Sequence, residues 1–135
     1  MTNLEMAGAA ALILRLAMGV MFLAHGWLKI RVFTPAGTVQ YFKSLGLPGF
    51  FAYLTMAAEI GGGTLLVLGI ETRWVALLLV PLIAGTIVFV HGKNGWPFTN
   101  KDGGWEFPAF WIVALVVLAL LGDGTAALRP MLHQP

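Results

Sequence analysis

The residues with chemical potential in this sequence are a few ionisable side chains that interrupt strongly apolar stretches. Arg15 and Glu59 each lie near the middle of such a stretch, and His25 and Lys29 follow Arg15 further along the first one. An ionisable side chain inside a membrane-spanning helix is costly unless it has a partner or a task. The sequence therefore predicts either a buried Arg15–Glu59 ion pair that fixes helix packing or a polar functional site.

Spacing places several of these side chains on one helix face. At about 100° per residue, Arg15, Met18, Phe22, His25 and Lys29 fall within one quadrant of a helix. The simpler interpretation is that Met18 and Phe22 are core residues and that Lys29 extends to the membrane interface. The functional interpretation is that the face lines a pocket.

Further polar residues mark the ends of the later apolar stretches. We expect them to join His25 and Lys29 in one leaflet, in a polar pocket whose floor is Glu59. Each histidine taken alone is better explained as a satisfied interfacial residue, and only their grouping favours a functional role. His133, in the polar tail, is expected to be solvated. The predicted catalytic residues are Glu59, His25 and His91, and the predicted ligand-binding residues are Arg15, Lys29, Asn94 and Glu106.

The chemistry of this pocket favours a quinone headgroup. Two histidines on different helices are few for a haem or a metal ion, so haem is disfavoured and no metal site is predicted. A quinone has two carbonyl oxygens that need donors such as His and Arg, and its tail suits a lipid-facing wall. Glu59 beside a histidine could shuttle the associated protons.

Four apolar stretches must position these residues. Each is close to the ~20 residues that a helix needs to cross a bilayer. They predict an all-α fold, an integral membrane four-helix bundle that forms a single domain over residues 1–135, with a retained first helix. The predicted spans are residues 6–28, 50–70, 74–92 and 105–122.

The connections carry their own signals. Thr34 followed by Pro35 predicts the start of a short interfacial amphipathic helix between the first two spans. Thr72 is the predicted N-cap of the third span. Pro81 predicts a kink in that span. Small residues in the second span, Ala57 with Gly61 and Ala58 with Gly62, predict close helix packing.

Composition sets the class of protein. Hydrophobic residues make up 59% of the chain, charged residues 10%, and the mean hydropathy is +0.85, whereas a soluble domain is about one quarter charged. A net charge of +2 without a basic stripe excludes nucleic acid as a partner. The chain has no cysteine, so a redox role requires a bound cofactor or a redox partner protein. Small-residue surfaces are compatible with a homodimer.

Lys and Arg are distributed unevenly between the two ends of the predicted bundle. The positive-inside rule then places the two long connections in the cytoplasm and both termini outside. Tryptophans near the span ends, Trp27, Trp96 and Trp105 on one side and Trp74 on the other, predict an interfacial belt. The cations on the long-connection side are Lys29, Arg31, Lys43, Lys93 and Lys101, against Arg73 and Arg129 on the other side.

The order of these motifs resembles the DoxX family. The resemblance runs over residues 12–124, and it is specific because charged residues occur at particular places inside apolar helices. The motifs are Leu14-Arg15-Leu16, then residues 22–29, 59–63, 68–73, 90–92, 103–106 and 122–124. The site residues that the resemblance implies are Arg15, His25, Lys29, Glu59, Arg73, His91 and Glu106.

Members of this family are small four-helix proteins of the bacterial inner membrane. Some resemble subunits of a thiosulfate:quinone oxidoreductase or a terminal quinol oxidase, and others are linked to oxidative stress. The resemblance implies a quinone-associated redox protein or oxidoreductase subunit. The alternative is a non-enzymatic assembly or accessory protein whose buried charges specify packing. A small-solute transporter is less favoured, because four helices without a repeat are a thin scaffold for alternating access.

Overall fold

A computed structural model describes residues 1–128, and this part of the chain is helical without strands, which confirms the all-α prediction. His133 and Arg129, which the sequence assigns to the tail, lie outside the described residues. The α-helices are α1 (Asn3–Trp27), α2 (Pro35–Ser44), α3 (Phe50–Leu68), α4 (Thr72–Thr86) and α5 (Glu106–Leu121). π-helical turns extend α1 over Leu28–Val32 and α4 over Ile87–His91, and a 3-10 turn follows at Gly92–Asn94.

The four predicted spans correspond to α1, α3, α4 and α5. Three helical stretches are long and apolar enough to cross a membrane: Asn3–Val32, Phe50–Leu68 and Thr72–Asn94. The fourth, α5, is equally apolar but has only 16 residues. Large apolar side chains such as Leu78 (76% exposed) and Phe110 (70% exposed) point away from the bundle. A membrane bundle accounts for this outer surface, because lipid accepts apolar side chains that water does not.

The core runs along the middle of the bundle, with α1 packed most extensively on α3 and α4 on α5. Arg15 and Phe22 of α1 are fully buried, as the predicted helix face requires. Pro81 lies inside α4. The apolar core residues include Met18, Phe22, Leu66, Leu79, Ile83, Trp111, Leu115 and Leu118.

Glycine allows α1 and α3 to approach closely. A Cβ on Gly63 would lie 2.9 Å from the Gly19 carbonyl oxygen, and a Cβ on Gly19 would lie 2.9 Å from the Gly63 carbonyl oxygen. Gly62 instead packs on Leu79 of α4. The prediction of close helix packing at Gly61 is wrong, because a Cβ there meets no atom of the described residues within 4 Å.

The short helix α2 forms as the sequence predicts. Thr34 is its N-cap, its hydroxyl accepts a hydrogen bond from the Gly37 N–H at 3.1 Å, and Pro35 follows at the first helical position. The buried Thr38 hydroxyl then donates to the Lys29 carbonyl at 3.1 Å. This bond fixes α2 to the π turn of α1.

The predicted N-cap of the third span is wrong. Glu71 occupies the cap position, in left-handed conformation, and Thr72 is already helical. The Thr72 N–H donates to Asp123 Oδ1 at 3.0 Å. The capping carboxylate thus comes from beyond α5, because the C-terminal segment folds back over this end of the bundle.

Candidate functional site

The central feature of the site is a buried ion pair between α1 and α3. Lys29 Nζ lies 2.9 Å from Glu59 Oε1, and the two side chains are 20% and 7% exposed. Gly26 makes room for the carboxylate, since a Cβ there would lie 3.2 Å from Glu59 Cβ. The π turn that begins at Leu28 carries Lys29 on a wider helical turn than an α-helix would provide.

The predicted Arg15–Glu59 ion pair is therefore wrong. Arg15 Nη1 donates to the carbonyls of Leu66 and Val67 at 3.1 and 2.7 Å. Its Nη2 donates to the carbonyls of Thr125 and Ala126 at 2.9 and 3.4 Å. The last carbonyls of a helix lack partners within it, and a planar guanidinium can bind several at once. Arg15 thus fastens the end of α3 to the C-terminal segment.

His25, on the same helix as Lys29, uses one of its ring nitrogens in a backbone hydrogen bond. Its Nδ1 lies 2.8 Å from the Met21 carbonyl oxygen, so Nδ1 carries the proton and Nε2 is a free acceptor in the neutral ring. The ring centroid lies 4.9 Å from that of Trp111, edge to face. His25 is also within electrostatic range of Glu59. The structure therefore brings together three of the predicted site residues: His25, Lys29 and Glu59.

Among the buried side-chain atoms without a hydrogen-bond partner in residues 1–128 are one atom of Glu59 and one of Trp111, whose ring packs on His25. They are Glu59 Oε2 and Trp111 Nε1, and both residues are 5% exposed. Buried polar groups are nearly always hydrogen-bonded, so unmatched ones call for an explanation.

An aromatic groove adjoins the ion pair. It has a volume of about 520 Å³ and lies between the π turn of α1 and the helix α2. Lys29 belongs to both the groove lining and the ion pair, so it connects the groove to Glu59. The residues that line the groove are Lys29, Phe33, Gly37, Thr38, Tyr41 and Phe42.

The remaining predicted site residues form a separate network. His91 Nδ1 and Asn94 Nδ2 both donate to the Gly103 carbonyl at 2.9 Å. Glu106 Oε2 accepts from the Phe98 N–H at 3.0 Å. None of the three makes a hydrogen bond or ion pair with Lys29 or Glu59 in the described chain. They hold the connection between α4 and α5, and their predicted catalytic and ligand roles stay predictions.

Sequence reasoning missed two parts of the site. Trp111 is the buried tryptophan of the chain, and its position inside the fourth apolar stretch was the available signal. The two π turns have no signal in the sequence, although such turns are frequent at functional sites. The aromatic side chains of the groove were visible only as the apolar side of a short amphipathic helix.

The fold and the site together define the class of protein. It is a four-helix membrane bundle with a Lys–Glu ion pair beside a short interfacial helix. The chain belongs to the DoxX family, since the family model, described as DoxX, matches residues 10–92. The matched part includes Lys29, Glu59 and the whole groove, whereas Trp111 and Glu106 lie beyond it.

Named relatives match over most of their length. "Putative oxidoreductase CatD" of Bacillus subtilis (strain 168) is 37% identical over 91% of this chain and 87% of its own. "Inner membrane protein YqjF" of Escherichia coli (strain K12) is 36% identical over 99% of this chain and 98% of its own. "Inner membrane protein YphA" of the same organism is 34% identical, covering 87% and 86%. No solved structure matches the chain. The protein is accordingly a multi-pass protein of the bacterial inner membrane.

Proposed function

We propose that this protein is a quinone-associated redox protein or a subunit of a membrane oxidoreductase. The observation that carries the proposal is the Lys29–Glu59 ion pair, whose carboxylate is buried and whose lysine lines an aromatic groove in a membrane protein. A relative over 91% of the chain is named a putative oxidoreductase, which supports the redox class.

The groove fits a quinone ring. Its volume of about 520 Å³ lies within the usual range for ligand sites, and aromatic side chains suit a planar ring. Lys29 has two N–H groups beyond the one that Glu59 accepts, so it can donate to a carbonyl oxygen of the ring. A bound quinone would supply two-electron, two-proton chemistry.

The chain's own residues would hold the ring and handle protons. Lys29 orients the oxygenated edge of the ring. Glu59 Oε2, which is not engaged by Lys29, can take up a proton, and His25 Nε2 offers a second acceptor beside it. Glu59 is buried and the Lys29 side chain is only 20% exposed, which limits the access of bulk water to these groups. Electrons would pass to or from a partner protein, because the chain has no thiols.

Lipid extraction and ligand titration test this proposal directly. The protein is purified in nanodiscs, extracted lipids are analysed for quinones by mass spectrometry, and a short-tail quinone is titrated back. Wild-type protein should bind the quinone saturably, and Lys29→Gln should lose most of that binding. Arg31→Gln is the matched control, because Arg31 is in the same π turn but lies over Trp27, with 5.5 Å between the guanidinium carbon and the ring centroid. Absence of both native quinone and saturable binding would refute the proposal.

The hydrogen bonds of the other polar residues favour a second candidate function. Arg15, His91 and Asn94 all direct their hydrogen bonds at backbone carbonyls of this chain. That use suits a non-enzymatic assembly or accessory protein whose polar residues fix its own shape. An assay in cells distinguishes the two proposed functions. Glu59→Gln should abolish a quinone-dependent function and leave an assembly function intact.

A further inference from the structure

The two oxygens of the Glu59 carboxylate are in different situations. Oε1 accepts from Lys29 Nζ at 2.9 Å. Oε2 is buried and receives no hydrogen bond from residues 1–128. A buried acceptor without a donor is a substantial cost, and a ligand that brings a donor to it relieves that cost. The structure thus contains an acceptor that matches a ligand O–H or N–H group.

Lys29 provides hydrogen-bond donors beside this acceptor. Its ammonium has three N–H groups, of which Glu59 accepts one, and Lys29 is one of the residues that line the groove. A ligand atom that bridges the ion pair must therefore accept from Lys29 and donate to Glu59. A hydroxyl oxygen does both, whereas a carbonyl oxygen can only accept and would leave Glu59 Oε2 unmatched.

A second buried polar group without a partner belongs to Trp111. Trp111 Nε1–H is a buried donor without an acceptor in the described chain. The His25 ring, 4.9 Å from the Trp111 ring by centroid, has Nε2 free as an acceptor because Nδ1 donates to the Met21 carbonyl.

We propose that the groove selects rings that carry a hydroxyl group, such as a hydroquinol or an alkylphenol, over the corresponding quinone or ether. The inference rests on the proposed function and specifies the reduced, hydroxyl-bearing form as the ligand. Lys29 and Glu59 discriminate between the two forms, because the bridging atom has to donate as well as accept.

Matched probes without redox chemistry isolate the hydroxyl group. A 4-heptylphenol and its methyl ether differ by one methyl on the ring oxygen, which removes the donor. Calorimetric titration into wild-type protein in nanodiscs should show the phenol binding about tenfold or more tightly than the ether. An anaerobic titration with a short-tail hydroquinol and its quinone should show the same order.

The outcomes separate this inference from the function on which it rests. Equal affinity for phenol and ether, together with equal affinity for hydroquinol and quinone, overturns the selectivity and leaves quinone binding standing. If neither hydroquinol nor quinone binds, both the selectivity and the proposed function fail. These wild-type measurements do not depend on the folding of any variant.

A substitution at Glu59 tests the mechanism of selection. In Glu59→Gln the amide oxygen should face the Lys29 ammonium, which can only donate, so the amide N–H group takes the place of Oε2. The acceptor is then replaced by a donor, and the phenol should lose its tenfold advantage over the ether. Glu5→Gln is the control, because Glu5 belongs to the capping box at the start of α1 and should leave the advantage unchanged. Retention of the full advantage in Glu59→Gln would contradict the assigned role of Glu59.

Discussion

Two buried ionisable residues in this bundle bind different kinds of partner. Glu59 is matched by the side chain of Lys29, a flexible cation that reaches it from the next helix. Arg15 is matched by four backbone carbonyls from two segments. The Lys29–Glu59 pair leaves one carboxylate oxygen without a hydrogen bond from the protein. The Arg15 guanidinium, in contrast, links two segments of the backbone. Their positions suit the first to function and the second to stability.

Removal of Lys29 should cost more than removal of both charges. Lys29→Met leaves the Glu59 carboxylate buried without its cation, and loss of one partner of a buried pair costs about 3 kcal/mol or more. The double variant Lys29→Met/Glu59→Gln should recover part of that loss. Thermal unfolding in detergent, arranged as a double-mutant cycle, gives the coupling between the two residues. Additive single effects would show that the ion pair contributes nothing to stability.

Arg15→Lys should loosen the C-terminal segment. A lysine ammonium has three N–H groups on a single atom and cannot span the four carbonyls that the guanidinium fork binds. Hydrogen–deuterium exchange should therefore speed up in residues 122–128. Arg31→Lys, at the other end of the same helical stretch, should leave exchange there unchanged. Unaltered exchange in Arg15→Lys would mean that the segment is held by its other contacts.

The contact between α1 and α3 is the element that brings Lys29 to Glu59. Gly19 and Gly63 place the two backbones against each other, and Gly26 lies opposite Ile60, one residue from Glu59. Side chains larger than hydrogen at these positions would separate the helices. The distance across the ion pair therefore depends on glycines that take no part in its chemistry.

Gly63→Ala and Gly61→Ala are a matched pair on α3. A Cβ at Gly63 would lie 2.9 Å from the Gly19 carbonyl oxygen, which cannot move away cheaply, whereas a Cβ at Gly61 meets nothing within 4 Å among the described residues. Gly63→Ala should destabilise the bundle by about 1–3 kcal/mol. Gly61→Ala should be neutral or stabilising by up to ~1 kcal/mol through helix propensity. Denaturant unfolding in mixed micelles provides the comparison, and a harmless Gly63→Ala would refute the close helix contact.

The hydrogen bond from Thr38 to the π turn should matter for the groove. Thr38→Val keeps the shape of the side chain but removes its hydroxyl, which donates to the carbonyls of Lys29 and Thr34 at 3.1 and 2.8 Å. We expect a loss of about 1 kcal/mol of stability and weaker ligand binding, because α2 is then less firmly held. Thr64→Val is the control, since its exposed hydroxyl bonds only its own helix, at the Ile60 carbonyl. Equal effects of the two changes, read from melting and titration curves, would argue against a special role for Thr38.

At the scale of the whole molecule, the orientation in the membrane is open to a direct test. The distribution of Lys and Arg predicts that the two long connections face the cytoplasm. The chain has no cysteine, so single cysteines can be introduced without a background. Lys43→Cys should be labelled by an impermeant thiol reagent only after the inner membrane is opened, whereas a cysteine at the C-terminus should be labelled from outside. The reverse pattern would invert the topology.

The sequence predicts the helices better than it predicts their partners. The apolar stretches, the Thr34-Pro35 start of α2 and the buried face of α1 follow from local patterns, and the structure confirms them. The partner of Glu59 was mispredicted, because opposite charges at similar depth favoured Arg15, whereas a π turn and a close glycine contact bring Lys29 instead. The Thr72 cap was mispredicted because Asp123 arrives through the fold. Local chemistry can be read from sequence, but non-local geometry of this kind cannot.

The shortness of α5 has a consequence for the surrounding lipid. At about 1.5 Å per residue its 16 residues rise only ~24 Å, against a hydrocarbon thickness of ~30 Å. The apolar part of the bundle therefore differs in length from one side to the other. It is long at the helical stretch 3–32 and short at α5. A short hydrophobic helix is accommodated by local thinning of the bilayer, by flanking side chains that reach the interface or by association with another chain. Where thinning is the response, we expect the lipids beside α5 to be compressed relative to those beside α1 and the protein to be more stable in thinner membranes.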